Sequence, residues 1–165
     1  MSISTYIIGM SLAFTALLAG CASSTDARST PSPSPWPWPC LNGTRTTLVG
    51  VPGTSPVLDI AVAGSGDRAV VFSDESDKDL CSWLPYARML AADGFRVVVY
   101  DYALGPRDDL AHVTGYLRAH GAHAIAFVGA SEGAKASIVA GTTLRVPAVV
   151  SLSAEDALQG VPVAP

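Results

Sequence analysis

The sequence predicts an α/β fold in which a mostly parallel β-sheet carries helices on both faces. Continuous apolar runs such as Ala69–Phe72 and Ala124–Val128 are typical of strands that are buried on both faces of a sheet. Between these runs, apolar residues recur at helical spacing, and strands that alternate with helices form parallel sheets. The composition agrees, because 49% of the 165 residues are hydrophobic and only 15% are charged, which excludes a wholly disordered chain.

The first residues have the pattern of an export signal. Tyr6–Leu18 is an apolar run without charge, shorter than the roughly 20 residues that a membrane-spanning helix needs and typical of a signal-peptide core. It leads into Leu18-Ala19-Gly20-Cys21 (LAGC), which resembles the lipobox of bacterial lipoproteins. We therefore predict a lipoprotein signal peptide at 1–20 and an extracytoplasmic protein that a lipidated Cys21 anchors to the cell membrane. The alternative is an ordinary cleaved signal or a short anchor, because no Lys or Arg precedes Tyr6.

A tether and a folded part are predicted to follow. Proline occupies every second position from Pro31 to Pro39. Because proline fixes φ and keeps its predecessor extended, residues 21–39 are predicted to form a lipidated, Pro/Ser-rich spacer, and the folded domain is predicted at 40–165. An exported location permits disulfides, and we predict one between Cys40 and Cys81. Two buried free thiols are the alternative.

The folded part is predicted to begin with a β-hairpin around the turn residues Pro52-Gly53. The first helix is predicted over roughly 80–91, since Pro85 falls near its first turn and Gly94 follows its end. Strands and helices then alternate to the end of the domain. The predicted strands are Thr46–Val51, Val57–Ala63, Ala69–Phe72, Phe95–Tyr100, Ala124–Val128 and Val146–Leu152, and the predicted helices lie at about 80–91, 108–120 and 132–143.

The motif G-x-S-x-G occurs at 129–133 (GASEG), between a predicted strand and a predicted helix. A nucleophile elbow needs this arrangement, because its serine sits on a strained strand-to-helix turn that the flanking glycines allow. The free N–H of Glu132 at the helix start then points where an oxyanion would form. We therefore predict Ser131 as a nucleophile and Gly129 and Gly133 as the elbow glycines. A plain glycine-rich turn is the alternative.

With this motif the chain resembles the α/β-hydrolase fold, and more narrowly the exported α/β-hydrolase-like proteins of bacteria. The resemblance rests on VVFSDESDKDLCSWLPYARMLAADGFRVVVYDY (70–102) and on VGASEGAKA (128–136). It implies hydrolysis of a small ester or other acyl substrate by a Ser, His and Asp/Glu triad, with Ser131 attacking the carbonyl carbon. It also implies an oxyanion hole built from the backbone N–H of Glu132 and one from the loop that carries Asp74 and Glu75. No cofactor is implied.

The sequence after the elbow departs from the family's order, in which an acid and then a histidine follow the serine. Glu155 and Asp156 follow the last predicted strand, but no histidine follows His123. His123 and His120 are predicted to lie at the opposite end of the sheet from Ser131, and His112 is predicted to point to solvent. We therefore expect a C-terminally truncated domain without a histidine base.

The predicted function is that of a membrane-anchored serine esterase or acyl hydrolase with weak or no activity in this chain. The alternatives are a catalytically dead lipoprotein that binds a ligand or partner through the old pocket, and a truncated gene product. A nucleic-acid partner is excluded because 10 Lys and Arg stand against 14 Asp and Glu, a net charge of −4. No protein partner is identifiable.

The loop after the third predicted strand carries four carboxylates, at Asp74, Glu75, Asp77 and Asp79. Negative charge near the elbow would oppose an oxyanion unless these side chains face solvent. The spacing lacks the glycine and the distal Glu of a calcium-binding loop. We therefore predict a solvated acidic loop and no metal site.

Overall fold

The computed structural model describes residues 38–154 and two short strands beyond them, Ala157–Leu158 and Val161–Pro162. These residues belong to one of two compact units of the chain, Ser34–Pro165. The predicted signal peptide, Cys21 and the tether as far as residue 37 lie outside the described residues, as do Glu155 and Asp156. None of the described helices is long and apolar enough to cross a membrane.

The described residues form eight strands: β1 (Thr46–Val51), β2 (Leu58–Ala63), β3 (Arg68–Ser73), β4 (Arg96–Tyr100), β5 (Ala124–Ala130), β6 (Ala148–Leu152), β7 (Ala157–Leu158) and β8 (Val161–Pro162). The first six form the main sheet, in the spatial order β1-β2-β4-β3-β5-β6, and β7 pairs with β8. β1 and β2 form an antiparallel hairpin, β2 is antiparallel to β4, and β4, β3, β5 and β6 are mutually parallel. The fold-class prediction is therefore confirmed.

Three α-helices connect the parallel strands: α1 (Leu84–Ala92), α2 (Pro106–Ala119) and α3 (Glu132–Leu144). The helix predicted over 80–91 is instead a 3-10 turn, Leu80–Trp83, followed by α1. Pro85 explains the difference, because proline has no N–H to donate and is tolerated in the first turn of an α-helix but not in its interior. Asp79 caps the start of the 3-10 turn, since its carboxylate accepts the N–H of Cys81 over 2.9 Å.

The sheet separates two hydrophobic cores. On one face, α2 and α3 pack through Leu110, Leu117 and Ala136 against Val71 and other strand residues. On the other face, the 3-10 turn and α1 pack against strand residues that alternate with the first set. This alternation is the period-two pattern of a strand, and it explains why the buried strands read as continuous apolar runs.

β6 is the last strand of the main sheet among the described residues, and all five of its residues are exposed. Phe72, Val128 and Val150 occupy successive positions across β3, β5 and β6 on the face that carries α1. Phe72 is 4% exposed whereas Val150 is 50% exposed. Helix α1 therefore covers β3 but leaves an open apolar surface over β6.

The predicted disulfide is present, with the Cα atoms of Cys40 and Cys81 5.8 Å apart. The same entry segment is held by Asp101, which accepts the indole N–H of Trp38 and the backbone N–H of Leu80. A second 3-10 turn begins at Pro39. Trp38 and Pro39, predicted as the end of the tether, therefore belong to the folded part, because Trp38 has an acceptor and an apolar surface to pack on.

Candidate active site at Ser131

Ser131 lies on the turn that joins β5 to α3. Its backbone has φ 49° and ψ −111°, a conformation that non-glycine residues adopt rarely and that costs about 1–3 kcal/mol. The neighbouring strand supports the turn, because the N–H of Ser131 donates to the carbonyl oxygen of Leu152 over 2.9 Å. Such strain persists only where the surrounding structure maintains it. The turn therefore places Ser131 at the carboxyl edge of the sheet, in the position that the motif predicts.

Two glycines allow the backbone to pack tightly around this turn. A Cβ on Gly133 would lie 2.2 Å from the carbonyl oxygen of Ser73, and a Cβ on Gly129 would lie 2.2 Å from the carbonyl oxygen of Gly133. The N–H of Gly133 donates to the carbonyl oxygen of Asp74 over 3.1 Å. The loop after β3 therefore lies directly against the start of α3, and neither glycine position has room for a side chain.

The predicted oxyanion donors lie on the two sides of this contact. The N–H of Glu132 is the first of α3 and has no acceptor within the helix, whereas the next one, from Gly133, is already bonded to Asp74. Asp74 and Glu75 belong to the loop that this bond holds against the helix. The roles of Glu132, Asp74 and Glu75 as backbone donors to an oxyanion stay predictions.

The acidic loop divides into a buried and an exposed part. Glu75, Asp77 and Asp79 are exposed, as predicted for a solvated loop. Asp74 is only 4% exposed, which the sequence does not predict. Burial, followed by the nearby charges of Asp101, Asp79 and Glu75, raises the pKa of Asp74 to about 8. At neutral pH this carboxyl is therefore mostly uncharged and opposes an oxyanion less than its sequence suggests. Nowhere in the described part of the chain are three or more His, Cys, Asp or Glu residues grouped to hold a metal ion.

Two tyrosines at the end of β4 shape the same loop. The hydroxyl of Tyr102 donates to the carbonyl oxygen of Asp74, and the hydroxyls of Tyr100 and Ser73 lie 2.8 Å apart in the core. Burial raises the pKa of Tyr100 and Tyr102, so both stay protonated hydrogen-bond donors. The sequence motifs do not identify these two tyrosines. Their position at the carboxyl end of a buried strand, where ligand sites of such sheets lie, is the signal that could have found them.

A cleft of about 670 Å³ opens beside Ser131 on the face that carries α1. Aromatic side chains, the end of β6 and the acidic loop surround it. Two of its buried polar atoms, Oδ2 of Asp74 and Nε1 of Trp83, have no hydrogen-bond partner in the described structure. Buried polar groups are almost always paired, so these two atoms are unsatisfied polar groups in the wall of the cleft. Lining residues include Phe72, Asp74, Glu75, Trp83, Tyr86 and Leu152.

None of the chain's three histidines, all of which are described, lines this cleft. His112 is exposed on α2, which packs on the opposite face of the sheet, in agreement with its predicted direction. His120 follows the end of α2, where its ring stacks on Tyr116. The backbone N–H of His123, before β5, donates to the carbonyl oxygen of Asp67, before β3. His120 and His123 therefore lie at the end of the sheet opposite Ser131.

The fold is similar to that of several solved structures. An α/β serine hydrolase without a lid from Xanthomonas campestris is 20% identical, with a TM-score of 0.56 over 66% of this chain and 61% of its own. Epoxide hydrolase A from Mycobacterium thermoresistibile is 25% identical, with a TM-score of 0.53 over 63% and 37%. A thermophilic esterase from Thermogutta terrifontis is 19% identical, with a TM-score of 0.51 over 68% and 47%.

This chain has the α/β-hydrolase fold. The resemblance predicted from its motifs is confirmed at that level. The chain spans less than two thirds of the length of each of these α/β-hydrolase structures. No protein-family model and no curated protein matches its sequence. Because one α/β-hydrolase fold supports different reactions, the chemistry of this chain has to be argued from its own site.

Proposed function

We propose that this chain is a membrane-anchored α/β-hydrolase-like protein with a serine esterase or acyl-hydrolase site, in which Ser131 is the nucleophile. The observation that carries the proposal is the backbone of Ser131, with φ 49° at the junction of β5 and α3. A buried serine in a regular element needs no such strain, whereas a nucleophile elbow does. The names of the structural neighbours, a serine hydrolase and an esterase among them, support the same reaction class.

In the proposed reaction, the Ser131 Oγ forms a bond to the substrate carbonyl carbon while the hydroxyl proton passes to a water molecule, which later returns it to the leaving alkoxide. The carbonyl π electrons move to oxygen, and the N–H of Glu132, with a loop amide of Asp74 or Glu75, stabilises the resulting oxyanion. Collapse of this intermediate expels the alcohol and leaves an acyl group on Ser131, which water then removes. Because the three histidines lie away from the cleft, the first proton transfer is slow, and we propose weak or no turnover by the 165-residue chain.

Labelling with a fluorophosphonate probe tests the nucleophile. We expect slow, stoichiometric labelling of the full chain, loss of labelling in Ser131→Ala, and retention in the control Ser82→Ala, because Ser82 also lines the cleft but lies in the 3-10 turn. Mass spectrometry identifies the modified residue. Labelling that persists in Ser131→Ala would contradict the proposed nucleophile, and fast p-nitrophenyl ester hydrolysis that depends on Ser131 would contradict the proposed weak activity.

A second candidate function is that of a catalytically inactive lipoprotein that binds a ligand in the Ser131 cleft. The observation that favours it is the position of His112, His120 and His123, all outside the cleft. A chain that binds a ligand there but never reacts with the fluorophosphonate would support this function over the first.

The membrane anchor is proposed from the LAGC sequence ending at Cys21. Expressed in a bacterium with its leader, the protein is expected to partition into the detergent phase, and Cys21→Ser is expected to move it to the aqueous phase, because lipid is attached through the thiol. Mass spectrometry of the mature N-terminus checks the lipid. A mature wild-type chain without lipid at Cys21 would refute this anchor.

A further inference from the structure

One wall of the Ser131 cleft is aromatic. The rings of Phe72 and Trp83 are stacked with centroids 4.9 Å apart, and Tyr86 meets Trp83 edge-on at 5.8 Å. All three residues line the cleft, and Tyr86 is 53% exposed. The face of an aromatic ring carries partial negative charge and attracts cations, most strongly for Trp.

The cleft also contains a buried carboxyl. Asp74 is 96% buried, since its exposed fraction is 4%, and its Oδ2 has no hydrogen-bond partner in the described structure. A proton occupies this carboxyl at neutral pH because burial and neighbouring acids raise its pKa to about 8. A positive charge that entered the cleft would stabilise the ionised form of this carboxyl through space.

The groups that surround the Asp74 carboxyl are acidic or phenolic. They lie in its own loop, before the 3-10 turn and at the end of β4, and they are Glu75, Asp79, Asp101, Tyr100 and Tyr102. The cleft lining includes one cation, Lys78, whose ammonium lies 3.2 Å from the carboxylate of Asp77 and whose side chain is half exposed. The electrostatic environment therefore favours a positive ligand.

We propose that the Ser131 cleft binds an organic ammonium group, with Asp74 as its charge partner and Phe72, Trp83 and Tyr86 as its aromatic wall. An ammonium suits this wall better than a metal ion, because ring faces supply no oxygen ligands. The inference rests on the proposed function in taking this cleft as the substrate site, and it identifies the substrate class as acyl compounds that carry a positive charge. A volume of about 670 Å³ is ample for such a molecule.

Choline and its neutral isostere 3,3-dimethylbutan-1-ol test the inference, because the two molecules have nearly the same shape but differ by one unit of charge. Binding to the full chain is measured by NMR chemical-shift titration at pH 7 and pH 9. We expect choline to bind about tenfold more tightly than the isostere at pH 9. With a pKa of about 8, the ionised fraction of Asp74 rises from about a tenth at pH 7 to about nine tenths at pH 9. The affinity for choline should therefore rise about tenfold between these pH values. The affinity for the isostere should not change.

Two variants test whether Asp74 is the source of the pH dependence of choline binding. Asp74→Asn, which resembles the protonated acid and should fold normally at neutral pH, is expected to remove the pH dependence of choline binding. Asp93→Asn removes the same charge at an exposed position at the end of α1 and should leave that dependence intact. If Asp74→Asn fails to fold, Tyr86→Leu is the second variant, and it should weaken choline binding about threefold while leaving the isostere unaffected.

Equal affinity for choline and its isostere at pH 9, choline binding that does not change between pH 7 and pH 9, or calcium chloride binding through Asp74 in place of choline would overturn the inference. The proposed function is tested by a separate result, the labelling of Ser131. If the fluorophosphonate does not label Ser131 but choline binds as expected, the nucleophile is wrong and the cation site stands. If Ser131 is labelled but choline shows no preference, the cation site is wrong and the nucleophile stands.

Discussion

Replacing Gly133 with alanine is expected to destabilise the fold by roughly 3 kcal/mol and to abolish fluorophosphonate labelling of Ser131. The added Cβ would lie 2.2 Å from the carbonyl oxygen of Ser73 and 2.6 Å from that of Asp74. Both contacts are with backbone, which cannot rotate away as a flexible side chain can. The loop after β3 has to separate from the start of α3, which removes the hydrogen bond from the Gly133 N–H to Asp74 and displaces the predicted oxyanion donors.

Gly115→Ala is the matched control for this change. Gly115 lies inside α2, and a Cβ there would meet no heavy atom within 4 Å. Alanine is the better helix former, so this variant is expected to be more stable than the wild type by up to about 1 kcal/mol, with labelling unchanged. Urea denaturation measures both free energies of unfolding. A Gly133→Ala protein of wild-type stability and reactivity would show that the loop and helix are not in the contact described.

Removal of the disulfide is expected to cost about 4 kcal/mol, because Cys40 and Cys81 are separated by 41 positions and the bond restricts the unfolded chain accordingly. The double variant Cys40→Ser/Cys81→Ser should therefore unfold at lower denaturant concentration, with a Tm lower by on the order of 15 °C. The bond also holds Leu41, a residue of the core on the α1 face, against the domain.

Reduction of the wild-type protein separates the effect of losing the disulfide from any other effect of the two serine substitutions. Dithiothreitol should lower wild-type stability to that of the double variant and leave the double variant unchanged. If reduction has no effect on the unfolding transition of the wild-type chain, Cys40 and Cys81 are not bonded in the protein. Equal stability of the oxidised protein and the double variant would show that the segment around Leu41 docks without the bond.

The strands and helices were predictable because their signals are local. β1 was predicted at Thr46–Val51, where it lies, and α3 was predicted to begin at Glu132, its first residue. These signals are a run of apolar residues, a turn-forming pair or a glycine after a helix, and each depends on only a few neighbouring residues. Each can therefore be recognised without knowledge of the rest of the chain. The difference at residues 80–83 is also local, since helical spacing there predicts an α-helix whereas the proline that follows allows one to begin only at Leu84.

The cleft was predictable only in part. The G-x-S-x-G motif located Ser131 and its two glycines, because a strained turn needs specific residue types at fixed spacing. The sequence also predicts that Asp74 is one of four solvated acids in the loop after β3. Three of them are exposed, but Asp74 is buried. A backbone N–H at the start of α3 and the hydroxyl of Tyr102 both donate to its carbonyl oxygen. These two bonds hold Asp74 against α3 and the end of β4.

The sequence by itself determined the order of the elements, the parallel sheet and the position of Ser131 on a strand-to-helix turn, since these depend on neighbouring residues and on simple periodicity. Only the tertiary structure decided which charges lose contact with water, which rings stand beside Asp74, and on which face α1 leaves β6 uncovered. These properties depend on residues far apart in the chain, such as Asp74 and Asp101 or Phe72 and Trp83. Burial and electrostatic interaction act through space, and no spacing along a sequence encodes them directly.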